Sequence, residues 1–166
     1  MTEPFAPGVS FAYALIADEK GSDCHDHGER VLMAAKVIVT AERFLMAAIL
    51  IVEDDVFIRE IAELMIQDWG HQTLSASDVD EALALLRSPQ HIDALFTDIY
   101  LKTAVLGGCD LARKAIALRP KLRVLYTTGN SMTDKMKALF VEGAYFLRKP
   151  YAQYQLQNSI EELLAV

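Results

Sequence analysis

Two cysteines, Cys24 and Cys109, are all that the 166 residues contain. They form no CxxC pair and cannot supply the disulfide framework on which small secreted domains rely, so a reducing cytoplasm is the expected setting. Basic runs are missing as well. With a formal net charge of -7 and no cluster of Lys or Arg, most of the surface repels phosphate backbones, and nucleic acid is not an expected partner. No uninterrupted apolar run of membrane length occurs either. The stretch from Val31 to Val52 is broken by Lys36, Glu42 and Arg43, and no cleavable signal sequence opens the chain, so no membrane span is expected.

What the chain does have is enough apolar residue, 52%, to bury a sizeable core. Its character changes near Met46. Residues 1–45 carry no regular rhythm and are read as an N-terminal extension, with one candidate helix from Glu29 to Phe44 that aligns Val31, Ala34, Ala35 and Ile38. Because Met46-Ala47 stands before the first apolar run as an initiator would, a translation start at Met46 is the alternative. Cys24-His25-Asp26-His27 has ligand-type side chains, but four neighbours are too few and too close for a structural zinc site.

Residues 46–166 alternate short apolar runs with amphipathic segments. Ala48 to Val52 is continuously apolar, as a strand covered on both faces would be. A helix is predicted over roughly residues 56 to 69, with Ile58, Ile61, Ala62, Met65 and Trp69 on its buried face and Gly70 as its stop. His71 to Ala76 reads as a more polar edge strand, and Ser77 or Asp78 caps a helix carrying Val79, Leu83 and Leu86. The third strand is Ala94 to Thr97. A long loop containing Gly107-Gly108 then leads into a helix through Leu111, Ala112, Ala115 and Ile116, ended by Pro120. Val124 to Thr127 is the fourth strand. It is followed by a helix with Met132, Met136, Leu139 and Phe140 on one face, stopped by Gly143. Ala144 to Leu147 is the fifth strand, and the last helix groups Leu156, Ile160, Leu163 and Leu164. No sequence remains after it for an effector, so a stand-alone domain is expected.

Five strands alternating with five helices predict a doubly wound α/β domain, an open parallel sheet with helices on both faces. Ligand crevices in such sheets lie beyond the carboxyl ends of the strands. There the sequence places Glu53-Asp54-Asp55, Asp98, Thr128 and Lys149-Pro150, after the first, third, fourth and fifth strands. Carboxylates gathered in a partly buried crevice repel one another unless a hard cation neutralises them, and a site with oxygen donors and no His or Cys points to Mg²⁺. Lys149 supplies a positive charge for a phosphoryl oxygen, and Thr128 a hydroxyl. Asp98, the isolated carboxylate between metal and lysine, is the expected nucleophile of a phosphoryl transfer that yields an acyl phosphate. Each residue alone has a plainer reading. Asp55 suits a helix start, Asp98 a turn, Lys149 an ordinary surface and Phe146 a core. The common location of Asp98, Thr128 and Lys149 is the argument for function, whereas Asp55 and Phe146 keep the plainer reading.

Together, Ile51-Val52-Glu53-Asp54-Asp55, Thr97-Asp98, Thr128-Gly129 and Phe146-Leu147-Arg148-Lys149-Pro150 resemble the receiver domains of two-component response regulators, over about residues 46 to 166. The resemblance implies a flavodoxin-like sheet of order 2-1-3-4-5. It implies Glu53 and Asp54 as the acidic pair for Mg²⁺, Asp98 as phosphoacceptor and metal ligand, and the backbone carbonyl of Tyr100 as a further ligand. Thr128 and Phe146 become switch residues that reshape the face made by the fourth helix, fifth strand and fifth helix. The implied partners are a histidine kinase or histidine phosphotransfer protein, a downstream protein, and a second copy through that face. The implied chemistry is limited to the domain's own phosphorylation and dephosphorylation.

The sequence departs from the family at Lys102, where a proline usually stands four residues after the acceptor, and in a longer loop before Gly108. Tyr126-Thr127-Thr128-Gly129 with the missing proline also resembles a divergent group of single-domain receivers, some of which serve stress-response phosphorelays. Two other readings stay open. One is a pseudo-receiver that binds partners without taking phosphate, against which Asp98, Thr128 and Lys149 argue. The other is a Mg²⁺-dependent phosphatase with an aspartyl nucleophile, against which Tyr100 stands where such enzymes carry a second aspartate.

Overall fold

The computed structural model describes residues 46–101 and 106–165. The extension, its candidate helix, the Cys24 to His27 cluster and Lys102 lie outside the described residues.

Strand β1 (Ala48–Val52) is buried at every position, as its unbroken apolar run requires of a central strand. The other strands are β2 (Gln72–Ala76), β3 (Ala94–Asp98), β4 (Arg123–Thr128) and β5 (Tyr145–Arg148). They form one sheet in the order β2-β1-β3-β4-β5, with all neighbours parallel. β2 lies at an edge, and only Ala76 of its five residues is fully buried, which is why its sequence is the most polar. Five helices connect or follow the strands: α1 (Val56–Asp68), α2 (Val79–Arg87), α3 (Gly107–Leu118), α4 (Asp134–Lys137) and α5 (Gln153–Leu164).

The period-two alternation of the strands divides the apolar residues between two cores. Leu50, Val52, Leu95, Val124 and Tyr126 face one side, where α2, α3 and α4 pack. Ile49, Ile51, Phe96, Leu125 and Leu147 face the other, where α1 and α5 pack. The sheet is therefore covered on both faces, as predicted. Its strand order reverses at β1, which has β2 on one side and β3 on the other, and the crevice opens at the carboxyl ends there.

Three sequence expectations are corrected. The buried face of α1 is set by Ala62 and Ile66, whereas Ile58 and Ile61 are exposed, Ile61 by 52%. Position 61 lies about 100° around the helix from 62, enough to turn it to solvent. Gly107 and Gly108 are the first turn of α3 rather than loop. The helix expected from Met132 to Phe140 is only the four residues of α4. Beyond it the backbone tightens to three-residue hydrogen bonds, Leu139 N–H to Met136 O and Phe140 N–H to Lys137 O. Val141 N–H then donates to the Tyr126 hydroxyl at 3.4 Å instead of continuing a helix, and the Phe140 ring stacks on Tyr126 with centroids 4.2 Å apart.

Candidate functional site

Hydrogen bonds to the backbone position Glu53, Asp98, Thr128 and Lys149 at the strand ends. Glu53 follows β1 and donates its N–H to Ala76 O at 3.2 Å, and its own carbonyl accepts from Arg59 Nη1 at 2.5 Å. Asp98 ends β3. The next residue, Ile99, donates to Thr127 O at 2.9 Å, and Lys149 N–H donates to Thr128 O at 2.9 Å. These bonds place Glu53, Asp98, Thr128 and Lys149 around one crevice although they come from four strands.

The centre of the crevice is the Lys149 ammonium. It donates to Glu53 Oε2 at 2.5 Å and to Asp98 Oδ2 at 2.6 Å, with 14% of the lysine side chain exposed. Asp98 Oδ1 accepts the Tyr100 N–H at 2.9 Å, so both oxygens of the expected acceptor are engaged. Burial lifts the Glu53 carboxyl above its usual range, and Lys149 only partly offsets this. Burial also opposes the ammonium, but hydrogen bonds and charge from Asp98 and Glu53 outweigh it and hold Lys149 above its ordinary value. The two directions pull oppositely on the Glu53–Lys149 contact. The ammonium's direction prevails, because Lys149 has two carboxylate partners and stays charged with either.

Asp54 is half-buried and Asp55 caps α1, accepting from the N–H groups of Phe57 at 2.9 Å and Ile58 at 3.2 Å. The plain helix-start reading of Asp55 is therefore the structural one. The residues expected to hold Mg²⁺, through the carboxylates of Glu53, Asp54 and Asp98 and the Tyr100 carbonyl, are all oxygen donors, the kind that ion takes. Their arrangement differs from expectation. Among the described residues, no three acidic, His or Cys side chains are grouped to hold a metal ion, and the cation that balances Glu53 and Asp98 is Lys149.

Thr128 is 1% exposed, and its Oγ1 accepts from Asn130 N–H at 3.2 Å. It lies on the face of β4 that also carries Tyr126, the register partner of Phe146. Phe146 is half-buried, its ring tilted against Phe140 at 6.2 Å, so it packs as an ordinary core aromatic while remaining connected to Tyr126 through Phe140.

Sequence reasoning missed three participants. Gly108 runs so close to the acceptor that a Cβ on it would lie 2.0 Å from the Asp98 carbonyl oxygen. Tyr151 lines a cleft with Glu53, Asp98 and Thr127 and meets Phe96 edge-on at 6.2 Å. Burial, then the Glu53 and Asp98 charges, push its phenol up to about 12. Thr127 Oγ1, in the same cleft, is the one fully buried side-chain polar atom among the described residues without a hydrogen-bond partner. The position of Tyr151 directly after Lys149-Pro150 was the available signal. Nothing local distinguishes Gly108 from an ordinary loop glycine.

The sequence matches the family described as the response regulator receiver domain over residues 49–161. Among curated proteins, it is 30% identical over 104 residues to the nitrogen assimilation regulatory protein NtrX of Azorhizobium caulinodans, covering 62% of this chain and 23% of that protein. It is 25% identical over 116 residues to protein PilG of Pseudomonas aeruginosa, covering 68% of this chain and 84% of PilG. The matched part is thus under a quarter of NtrX but most of PilG. A solved response regulator receiver protein from Sinorhizobium medicae superimposes with a TM-score of 0.67 at 25% identity, over 73% of this chain and 96% of that one.

Proposed function

The chain belongs to the response regulator receiver domain family, and on that premise we propose that it accepts a phosphoryl group on Asp98 from a histidine kinase or histidine phosphotransfer protein. In the transfer, the phosphorus–nitrogen bond of a phosphohistidine breaks as a carboxylate oxygen of Asp98 bonds to phosphorus, and the imidazole leaves with the bonding electron pair. The observation that carries this reading is the Lys149 ammonium, 2.6 Å from Asp98 Oδ2 at the carboxyl ends of the strands. An ammonium so placed can follow a phosphoryl oxygen once the carboxylate oxygen is esterified, while Thr128 offers a hydroxyl one strand away. Glu53, Asp54, Asp98 and the Tyr100 carbonyl would hold Mg²⁺, which when bound adds positive charge beside the transferring group.

The exposed face of α1 supports a helical protein as phosphodonor. Phe57, Ile61 and Leu64 recur at helical spacing and are 73%, 52% and 62% exposed, beginning within a few residues of Glu53. Thr128 and Phe146 would then report the phosphoryl group to the face formed by α4, β5 and α5, where a downstream protein is engaged. Relatives of both lengths match this region, so the proposal concerns the receiver itself rather than any effector joined to it.

The test is incubation with acetyl phosphate and Mg²⁺, followed by mass spectrometry. The wild-type protein should gain one labile phosphoryl group and Asp98→Asn none. No gain in the wild type would favour a pseudo-receiver, and turnover of added phosphomonoesters would favour a phosphatase.

A further inference from the structure

Thr127 carries a hydroxyl that the free molecule does not use. The residue is 2% exposed, and its Oγ1 lies without a hydrogen-bond partner in the cleft beside the acceptor. A hydroxyl buried in this way lowers stability, because it gives up water and gains nothing in return. Valine has nearly the same shape, suits a strand as well and avoids the penalty. We propose that Thr127 is a further residue of the acceptor site, whose hydroxyl is left free for the phosphorylated state, where it donates to the Asp98 oxygen that Lys149 vacates. This rests on the reading of Asp98 as phosphoacceptor, and adds to it a residue that stabilises the product.

Topology narrows the partner to Asp98. Besides Thr127, the side chains lining the cleft that carry polar atoms are those of Glu53, Asp98 and Tyr151. Glu53 follows β1, which β3 separates from β4, and its oxygens already accept from Asp55 N–H and Lys149. Tyr151 lies past the end of β5, four residues beyond Leu147, the register partner of Thr127 on that side. On the other side the register partner is Asp98 itself. Neighbouring strands run about 4.8 Å apart with paired side chains on one face, a span that two short polar side chains can bridge. The ammonium keeps them apart in the free molecule. It bonds Asp98 Oδ2 at 2.6 Å and also bonds Glu53, on the β1 side of Asp98, whereas Thr127 stands on the β4 side. Once Lys149 follows a phosphoryl oxygen, Oδ2 loses that pull and that donor, because the Tyr100 N–H serves Oδ1. The Thr127 hydroxyl then gains an acceptor, and Oδ2 a donor.

The experiment compares the whole chain as wild type, Thr127→Val and Thr127→Ser, with beryllofluoride and Mg²⁺ as a non-hydrolysed mimic of a phosphoryl group on a carboxylate. Thr127→Val should bind the mimic about fivefold more weakly, the worth of one neutral hydrogen bond, and Thr127→Ser should keep most of the wild-type affinity. Without the mimic, Thr127→Val should unfold in urea at a midpoint no lower than wild type, since the free molecule gives the hydroxyl no partner. A hydroxyl with a merely structural role would move the midpoint and leave the affinity. Equal affinities for wild type and Thr127→Val overturn the proposal, as does a lower midpoint for the unloaded variant. So does disappearance of the effect in a Tyr151→Phe background, which would make the phenol the partner. Absence of binding to the wild type overturns the acceptor reading and this proposal with it, whereas binding that ignores residue 127 overturns this proposal alone.

Discussion

Gly108 lies against the backbone of Asp98 so closely that a methyl group on its α-carbon would sit 2.0 Å from the Asp98 carbonyl oxygen. The same glycine donates its N–H to Ile99 O at 3.1 Å, which anchors the start of α3 to the end of β3. Gly108→Ala must therefore push α3 away from the acceptor strand. We expect a loss of stability of about 1–3 kcal/mol, as for other overpacked sites, and slower labelling by acetyl phosphate. Thermal denaturation with a labelling time course checks both, and an alanine variant matching wild type would show that the strand end is pliable.

Tyr100 connects the acceptor to α4. Its N–H is bonded to Asp98 Oδ1, and its hydroxyl approaches Met136 Sδ at 3.7 Å. The side chain stands two residues past the acceptor, where it can screen an acyl phosphate from water. Tyr100→Ala should shorten the phosphoryl lifetime severalfold, measured as decay after the phosphodonor is removed. An unchanged decay rate would refute the screening role.

The exposed apolar stripe of α1 separates two sources of phosphate. Replacing Phe57, Ile61 and Leu64 with serine should alter stability little, by about 0.5 kcal/mol or less at each exposed site. Labelling by acetyl phosphate should stay as in wild type, because no residue of the crevice changes. Transfer from a phosphorylated histidine-containing protein should slow by about tenfold or more if the stripe anchors the donor. Equal transfer rates would place the donor elsewhere.

Arg119 closes the end of α2. Its guanidinium donates to the carbonyls of Leu86, Ser88 and Gln90, each at 2.8 Å, using three nitrogens at once. Arg119→Ala should cost about 1.5–3 kcal/mol, the range for hydrogen bonds made by a charged donor. Arg119→Lys should recover only part, since one ammonium cannot reproduce the fork. Urea midpoints at constant slope measure both.

His71 makes stability depend on pH. Its Nδ1 accepts the Ala47 N–H at 3.3 Å, and burial lowers its affinity for a proton below the ordinary value of 6.5, with Glu161 opposing. A group depressed in the folded state takes up its proton more readily when unfolded. Its contribution is therefore present above pH 6.5 and lost as the pH falls toward the depressed value. Unfolding free energies measured from pH 7.5 down to pH 5 should fall less steeply for His71→Gln than for wild type.

The parallel sheet and the crevice at its strand ends were legible because they depend on local chemistry, whereas the strand order came only with the family resemblance. A continuous apolar run reads as a central strand, and glycine or proline marks where an element stops. The strand-end positions of Glu53, Asp98, Thr128 and Lys149 follow from the same rhythm. The length of α4 did not follow, because the Phe140 stack on Tyr126 and the Val141 bond to its hydroxyl come from another strand. The exposure of Ile61 did not follow either, since an isoleucine reads as core until its place around the helix is fixed by what packs beside it. The sequence by itself determined which residues could meet at the ends of the strands. Only the tertiary structure decided that Lys149 bonds Glu53 as well as Asp98. Those two residues stand 96 apart, and their contact depends on the length of one side chain between two anchored backbones, a distance no local pattern encodes.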